Sequence, residues 1–132
     1  MSKRVEQNRY FLLLYKNSGA KQRAQLLQIS NRSQFLSILE CCANCLVGNV
    51  TINAPLRKRL KTKRELFRLL SFDKKKCWKT KKALVHKNQV GGIIAELVST
   101  AVGYLFDKLG NALFSRENRQ SPSPPRDEGV GL

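Results

Sequence analysis

The chain has 132 residues, enough for one domain with appended segments. Hydrophobic residues make up 42% of it, which excludes a purely disordered basic tail. The formal net charge is +16, from 25 Lys and Arg against 9 Asp and Glu. A domain so far from neutrality repels itself, so a polyanionic partner is expected, nucleic acid first and an anionic membrane surface second.

Three helices are predicted in the first fifty residues. Residues 5–16 contain a continuous apolar run whose period does not exclude a strand, but its polar flanks and helical neighbours favour a helix. A short helix is predicted for residues 20–29. The third has Asn31 or Ser33 as its N-cap and ends at Gly48. Its apolar residues recur at i, i+3, i+4, i+7 and i+11 and predict a core-facing stripe of Phe35, Ile38, Leu39, Cys42 and Leu46.

Most of the positive charge lies in the next forty residues. Positions 51–90 hold fourteen basic and two acidic residues, a net +12 of the total +16. Two helices are predicted here, residues 56–70 after Pro55 and residues 74–88 with Asp73 as N-cap. Each has an apolar side for docking on a core and a basic side.

This basic segment is the candidate nucleic-acid site. Phosphates require cations that are close and mobile rather than fixed in geometry, so a dense basic helix face is sufficient. A solvated face normally mixes charges of both signs, whereas these residues carry one sign, with Glu65 the one glutamate among them. The same clusters are also typical of a bipartite nuclear-import signal. The predicted phosphate-binding residues are Arg57, Lys58, Arg59, Lys61, Lys63, Arg64, Arg68, Lys74, Lys75, Lys76, Lys79, Lys81 and Lys82.

Sequence-specific base recognition is not expected, because the chain has no zinc finger, RNA-recognition motif or basic zipper. Trp78 lies among lysines, and two roles are open to it. It can stack on an unpaired base, or it can be a buried anchor, which is the favoured interpretation.

The composition changes at Gly91-Gly92. Residues 93–114 are apolar almost all round, with a narrow polar stripe, and predict one further helix. Its longest apolar stretch, residues 93–106, is too short for a bilayer and contains Glu96. The helix therefore packs in the core, self-associates or, less favoured, lies at a membrane interface. Residues 116–132 are Pro-rich and predict disorder, so the expected organisation is a basic domain at 1–90, the apolar helix at 91–115 and a tail.

Neither a metal site nor a catalytic site is expected. Cys42, Cys45, Cys77 and His86 can be combined into a Cys₃His zinc set, but a single CxxC within a helix is more typical of buried free cysteine. The roles of Cys41 and Cys45 stay open. His86 has no neighbouring carboxylate and is expected at the surface, so the chain is predicted to be non-enzymatic and without cofactors.

A basic stretch followed by Gly91-Gly92 and an apolar helix resembles the small DNA-condensing core protein of adenoviruses, protein X or mu. It is also similar to small basic virion proteins of adenovirus-like mobile elements such as polintons and adintoviruses. The resemblance covers about residues 74–113. It implies genome condensation inside a capsid, with Lys74, Lys75, Lys76, Lys79, Lys81 and Lys82 as phosphate contacts. Those proteins are shorter and dominated by Arg, whereas Lys is the more frequent cation here.

The sequence therefore predicts an all-α protein, a compact bundle of five to six helices with a disordered C-terminal tail. Its predicted function is largely sequence-independent binding of nucleic acid, DNA ahead of RNA, in the nucleus or a virion core. The alternative is an adaptor whose Gly-Gly helix binds a partner or a membrane while the basic patch directs nuclear import. Self-association through residues 93–114 is compatible with either function.

Overall fold

The computed structural model describes the backbone of residues 2–120 and the side chains of residues 2–105. Over residues 2–120 the chain forms eight helices and no strand, which confirms the all-α class. The expected number of five to six helices is wrong, because two predicted helices are each divided in two. The helices are α1 Lys3–Gln7, α2 Arg9–Asn17, α3 Ala20–Ile29, α4 Arg32–Leu46, α5 Ala54–Thr62, α6 Arg64–Phe72, α7 Trp78–Lys87 and α8 Gly91–Gln120.

The first division lies at Asn8, inside the helix predicted for residues 5–16. The Asn8 side-chain amide donates to the Arg4 carbonyl at 2.9 Å and to the Ser33 hydroxyl at 3.0 Å. These bonds hold the end of α1 against the start of α4. The break directs α1 onto α4 and α2 mainly onto α8, so both halves bury apolar side chains.

The second division lies at Lys63, inside the helix predicted for residues 56–70. Its backbone angles, φ −120° and ψ 26°, are not helical. Leu56 and Leu60 of α5 are buried where α5 packs on α8, whereas Phe67 and Leu70 of α6 are buried where α6 packs on α4. The two halves have different partners, and this difference accounts for the break.

Helix α4 lies at the centre of the bundle. Asn31 is its N-cap, rather than Ser33, and forms a reciprocal capping box with Gln34. The predicted stripe is buried except for Leu46, which is partly buried against the core. Cys41 and Cys45 are buried as well, because α1, α2, α6, α7 and α8 all pack around this helix.

Helix α8 supplies a large part of the core. It begins at Gly91 and continues to Gln120, beyond both ends of the predicted helix. Its buried residues include Ile94, Leu97, Val98 and Val102, and it packs mainly on α2 and α4. The described part of the chain contains no helix with the length and hydropathy of a membrane span. Of the tail predicted for residues 116–132, residues 116–120 continue α8 and residues 121–132 lie outside the described residues.

Candidate nucleic-acid interface

The candidate interface is built from three consecutive helices and one loop. Helices α5 and α6 turn Leu56, Leu60, Phe67 and Leu70 inwards, and α7 turns Val85 inwards. Because apolar residues occupy the inner side of each helix, most of the cations project into solvent. Eleven of the thirteen predicted residues are exposed, namely Arg57, Lys58, Arg59, Lys61, Lys63, Arg64, Arg68, Lys74, Lys75, Lys76 and Lys79.

Lys81 does not lie on this exposed surface. Its side chain is 7% exposed, and its ammonium group donates to the Asp73 carbonyl at 2.5 Å. This bond connects α7 to the end of α6. The expectation that Lys81 contacts phosphate is therefore corrected, because its charge is used to satisfy a backbone acceptor.

Lys82 is also engaged within the protein. Its ammonium group donates to the carbonyls of Gln28 at 3.1 Å and Ser30 at 2.7 Å, at the C-terminal end of α3. It also lies 4.9 Å from the ring centroid of Trp78, a cation–π distance. Burial, followed by the charge of Lys79, lowers the pKa of Lys82. Lys82 thus joins α7 to α3, which again differs from the expected free phosphate contact.

Trp78 is partly buried against the core, as the favoured interpretation of its role expects. Its ring centroid is 6.4 Å from that of Phe35, at an interplanar angle of 43°. The ammonium group of Lys79 lies 5.8 Å from the centroid of the Trp78 ring. The indole thus fixes the first turn of α7 on α4.

The loop between α6 and α7 presents a compact cationic cluster. Asp73 was expected to cap a helix starting at residue 74, but that helix begins at Trp78, with Cys77 as its N-cap. The Asp73 carboxylate instead accepts the N–H groups of Lys75 at 2.7 Å and Lys76 at 3.1 Å. These backbone bonds lower the pKa of the Asp73 carboxyl. The turn that they hold exposes three successive lysines, 74–76, and is fixed further by the bond from Lys81.

The cations of α5 are more constrained. Arg59 forms an ion pair with Glu96 of α8, the one ion pair among the side chains of residues 2–105. Arg57 donates to the Ile52 carbonyl at 3.2 Å and thereby supports the start of its own helix. These contacts leave Lys58 and Lys61 as the exposed cations of α5 without a hydrogen bond or ion pair among the described side chains.

Charges of one sign are placed next to each other across this interface. Arg64 and Arg68 are one turn apart on α6 and both are exposed, with Glu65 the one carboxylate on this helix. Like charges at this spacing cost an isolated helix about 0.2–0.5 kcal/mol, whereas a carboxylate at either position would stabilise it. A negative charge placed near Arg64 and Arg68 would relieve this repulsion.

The four cysteines lie in two different environments. Burial raises the pKa of the Cys45 thiol to about 11 and that of the Cys41 thiol to about 12, and it raises the pKa of Cys42 strongly. Cys77 is exposed at the N-terminus of α7, with its sulfur 3.2 Å from the Thr80 hydroxyl oxygen, and this contact lowers its pKa. Among the described residues no three His, Cys, Asp or Glu side chains are grouped as metal ligands.

The structure also brings together residues that the sequence reasoning did not connect. Arg23 of α3 lines a groove with Lys79, Lys82 and His86 of α7. More than fifty residues separate Arg23 from Lys79, and no local pattern in the sequence relates them. Only the packing of α3 beside α7 reveals this second cationic location.

Comparison of the chain with protein-family models, with curated proteins and with solved structures finds no match.

Proposed function

We propose that this protein is a non-enzymatic nucleic-acid-binding protein that recognises phosphates largely without regard to sequence. The observation that carries this proposal is the run of eleven exposed cations between Arg57 and Lys79, of which only Arg59 has an ion-pair partner among the described side chains. The acidic residues in this stretch are Glu65 and Asp73 alone. Nucleic acid supplies closely spaced negative charges that such a surface can neutralise. DNA is the proposed target ahead of RNA, in the nucleus or a virion core.

The mechanism is the release of condensed counterions from the phosphates. Each phosphate neutralised on duplex DNA contributes about 0.9 to the slope of log K against log salt. Contacts from the three loop lysines alone correspond to a slope of about −3. Contacts from every exposed cation except the paired Arg59 correspond to about −9. A helical surface cannot place all of them on one duplex at once, so the expected slope lies between these limits.

A finer proposal follows from the resemblance to adenovirus-type core proteins. In that case the protein condenses a long viral DNA, and many copies bind to each molecule. The basic stretch before Gly91-Gly92 supports this proposal. Of the six lysines that the resemblance assigns to phosphates, Lys81 and Lys82 are engaged within the protein. Lys74, Lys75, Lys76 and Lys79 are the ones that are exposed.

The alternative function, an adaptor acting through the Gly-Gly helix, has less support. The buried apolar residues of α8 between Ile94 and Leu105 are packed into the bundle, so these side chains could meet a partner or a membrane only after the bundle opens. The basic surface needs no such rearrangement. Nucleic-acid binding is preferred for this reason.

The first test is a titration of labelled duplex DNA, single-stranded DNA and duplex RNA at several salt concentrations. Binding of the nucleic acids with a slope between about −3 and −9 on duplex DNA supports the proposal. A slope near zero removes its physical basis. Failure to bind any of the three near physiological salt would contradict the proposal and would leave nuclear import as the role of the basic segment.

A matched pair of variants then tests the surface itself. K74Q/K75Q/K76Q removes three exposed loop charges, and we expect the magnitude of the duplex slope to fall by about 2–3. K3Q/R4Q/R32Q removes three exposed charges elsewhere and changes the net charge equally. Equal losses in the two variants would indicate that net charge alone, rather than this surface, attracts the nucleic acid.

A further inference from the structure

A groove with a volume of about 590 Å³ lies between α3 and α7 and ends at the start of α8. This volume falls within the range of sites for small molecules. The walls are formed in part by exposed alanines, Ala20 and Ala24 of α3 and Ala83 of α7. Gly91 and Gly92 close one end. Short side chains on both walls therefore leave an open space between the two helices.

The charged groups along the groove are all of one sign. Arg23, Lys79 and Lys82 line it, and among the residues that the structure describes no Asp or Glu does. One guanidinium nitrogen of Arg23 donates to the Ser18 carbonyl at 2.6 Å, which holds the group in place while its other N–H donors stay available. Lys79 is exposed, whereas Lys82 is half-buried and bonded to the carbonyls of Gln28 and Ser30. A ligand that matches these walls carries negative charge.

The ligand also needs a flat and weakly polar part. Alanine methyl groups offer apolar contact to such a group, and His86, exposed on α7, offers the edge or face of an imidazole. A nucleobase next to a phosphate combines both properties. Unpaired bases are commonly held between apolar or aromatic side chains, with Arg and Lys at the adjoining phosphate. A paired base is held in its stack and cannot enter a space between two helices without being extruded.

We propose that this groove binds one unpaired nucleotide of a single-stranded nucleic acid, with the base between α3 and α7 and its phosphate at Lys79 and Arg23. The inference rests on the proposed nucleic-acid binding and adds a preference for unpaired strands. Phosphate contacts on the loop and on α6 would then attract either kind of strand. The groove would distinguish a single strand from a duplex.

The test compares two single-stranded oligonucleotides of equal length with the full chain. One has an ordinary base at every position, and the other is abasic throughout its centre, so that both carry the same number of phosphates. We expect the ordinary strand to bind about fivefold more tightly, at the lower end of what one accommodated base contributes. Equal affinity for the two strands would overturn the groove proposal, whatever the variants do.

Two variants, A83L and Q25L, test whether the preference for a strand with bases arises in this groove. A83L fills the groove without changing its charge, and leucine is well tolerated in helices. We expect A83L to lose the fivefold preference while its affinity for duplex DNA is unchanged. Q25L adds a leucine to an exposed position of α3 outside the groove and should retain the preference. If A83L retains it too, the base binds elsewhere and the proposal fails.

Measuring the binding of duplex DNA beside that of the two single strands distinguishes the groove proposal from the proposed phosphate binding. Salt-dependent duplex binding without any base preference leaves the phosphate-binding function in place and eliminates the groove. Absence of binding to every strand eliminates both.

Discussion

Lys79 and Lys81 lie two residues apart on α7 and have opposite environments. Lys79 is exposed, whereas Lys81 is 7% exposed and donates to the Asp73 carbonyl. Substituting either by Met removes one charge and keeps a similar length of side chain. K79M and K81M are therefore a matched pair, and the structure predicts opposite effects on stability and binding.

The expected loss of stability in K81M follows from its hydrogen bond. A bond from a charged donor contributes about 1.5–3 kcal/mol, and its removal leaves the Asp73 carbonyl without this partner. Burying a thioether instead of an ammonium group offsets part of that loss, because the desolvation of the charge is relieved. The net decrease in the free energy of unfolding is about 1–2 kcal/mol. K79M, at an exposed position, should stay within about 0.5 kcal/mol of the parent.

Urea unfolding and duplex titration measure the two effects separately. K79M should reduce the magnitude of the salt slope by about 0.9, the contribution of one phosphate, whereas folded K81M should keep the parent slope. A K81M variant as stable as the parent would contradict the stabilising role of the Lys81 hydrogen bond. A change in slope as large in K81M as in K79M would contradict the separation of Lys81 from the phosphates.

Three further outcomes are expected. E96Q releases Arg59 from its ion pair, so the salt slope on duplex DNA should steepen by about 0.9. The free energy of unfolding should change by less than about 1 kcal/mol, because the pair is exposed. An unchanged slope would show that Arg59 does not reach the phosphates. Ellman's reagent should modify one thiol rapidly in the folded protein, that of Cys77, and all four only after denaturation; rapid reaction of more than one would contradict the burial of the others. The free energy of unfolding should also fall at alkaline pH, because the folded protein prefers the neutral Cys45 thiol, whose pKa burial raises to about 11. The stabilisation from this preference is complete below the unfolded pKa of about 8.5 and is lost as the pH rises through 11. Urea unfolding at pH 7, 9 and 10.5 measures this loss, and C45A should make the decline shallower.

The helical class and most helix positions could be predicted from the sequence because they depend on local properties. The bounds expected for α3 match those observed, and the apolar spacing from Phe35 to Cys42 correctly indicated which side of α4 is buried. The breaks at Asn8 and Lys63 could not be predicted in this way. They depend on contacts with partners distant in the chain, such as the bond from Asn8 to Ser33. The helical periodicity of residues 56–70 is the same with or without such a break.

In the candidate interface, too, local patterns could be predicted from the sequence, whereas contacts between distant parts of the chain could not. The exposure of Arg64 and Arg68 follows from an amphipathic pattern, in which Phe67 and Leu70 form the buried side of the same helix. Lys81 could not be recognised as buried, because its partner is a backbone carbonyl eight residues earlier that becomes available only when the chain turns after α6. The burial of Cys41 likewise depends on how many helices surround α4, and a stripe pattern contains no such information.

The sequence by itself determined the net charge, its concentration between positions 51 and 90 and the helical character of the chain, since these depend on residue identity and short-range spacing. The tertiary structure alone decided which cations are free to meet a ligand. Lys79 and Lys82 are chemically identical and one turn apart, yet only Lys82 meets the carbonyls at the end of α3. The availability of a charged group depends on the acceptors within about 3 Å of it, and those acceptors come from parts of the chain that only folding brings near.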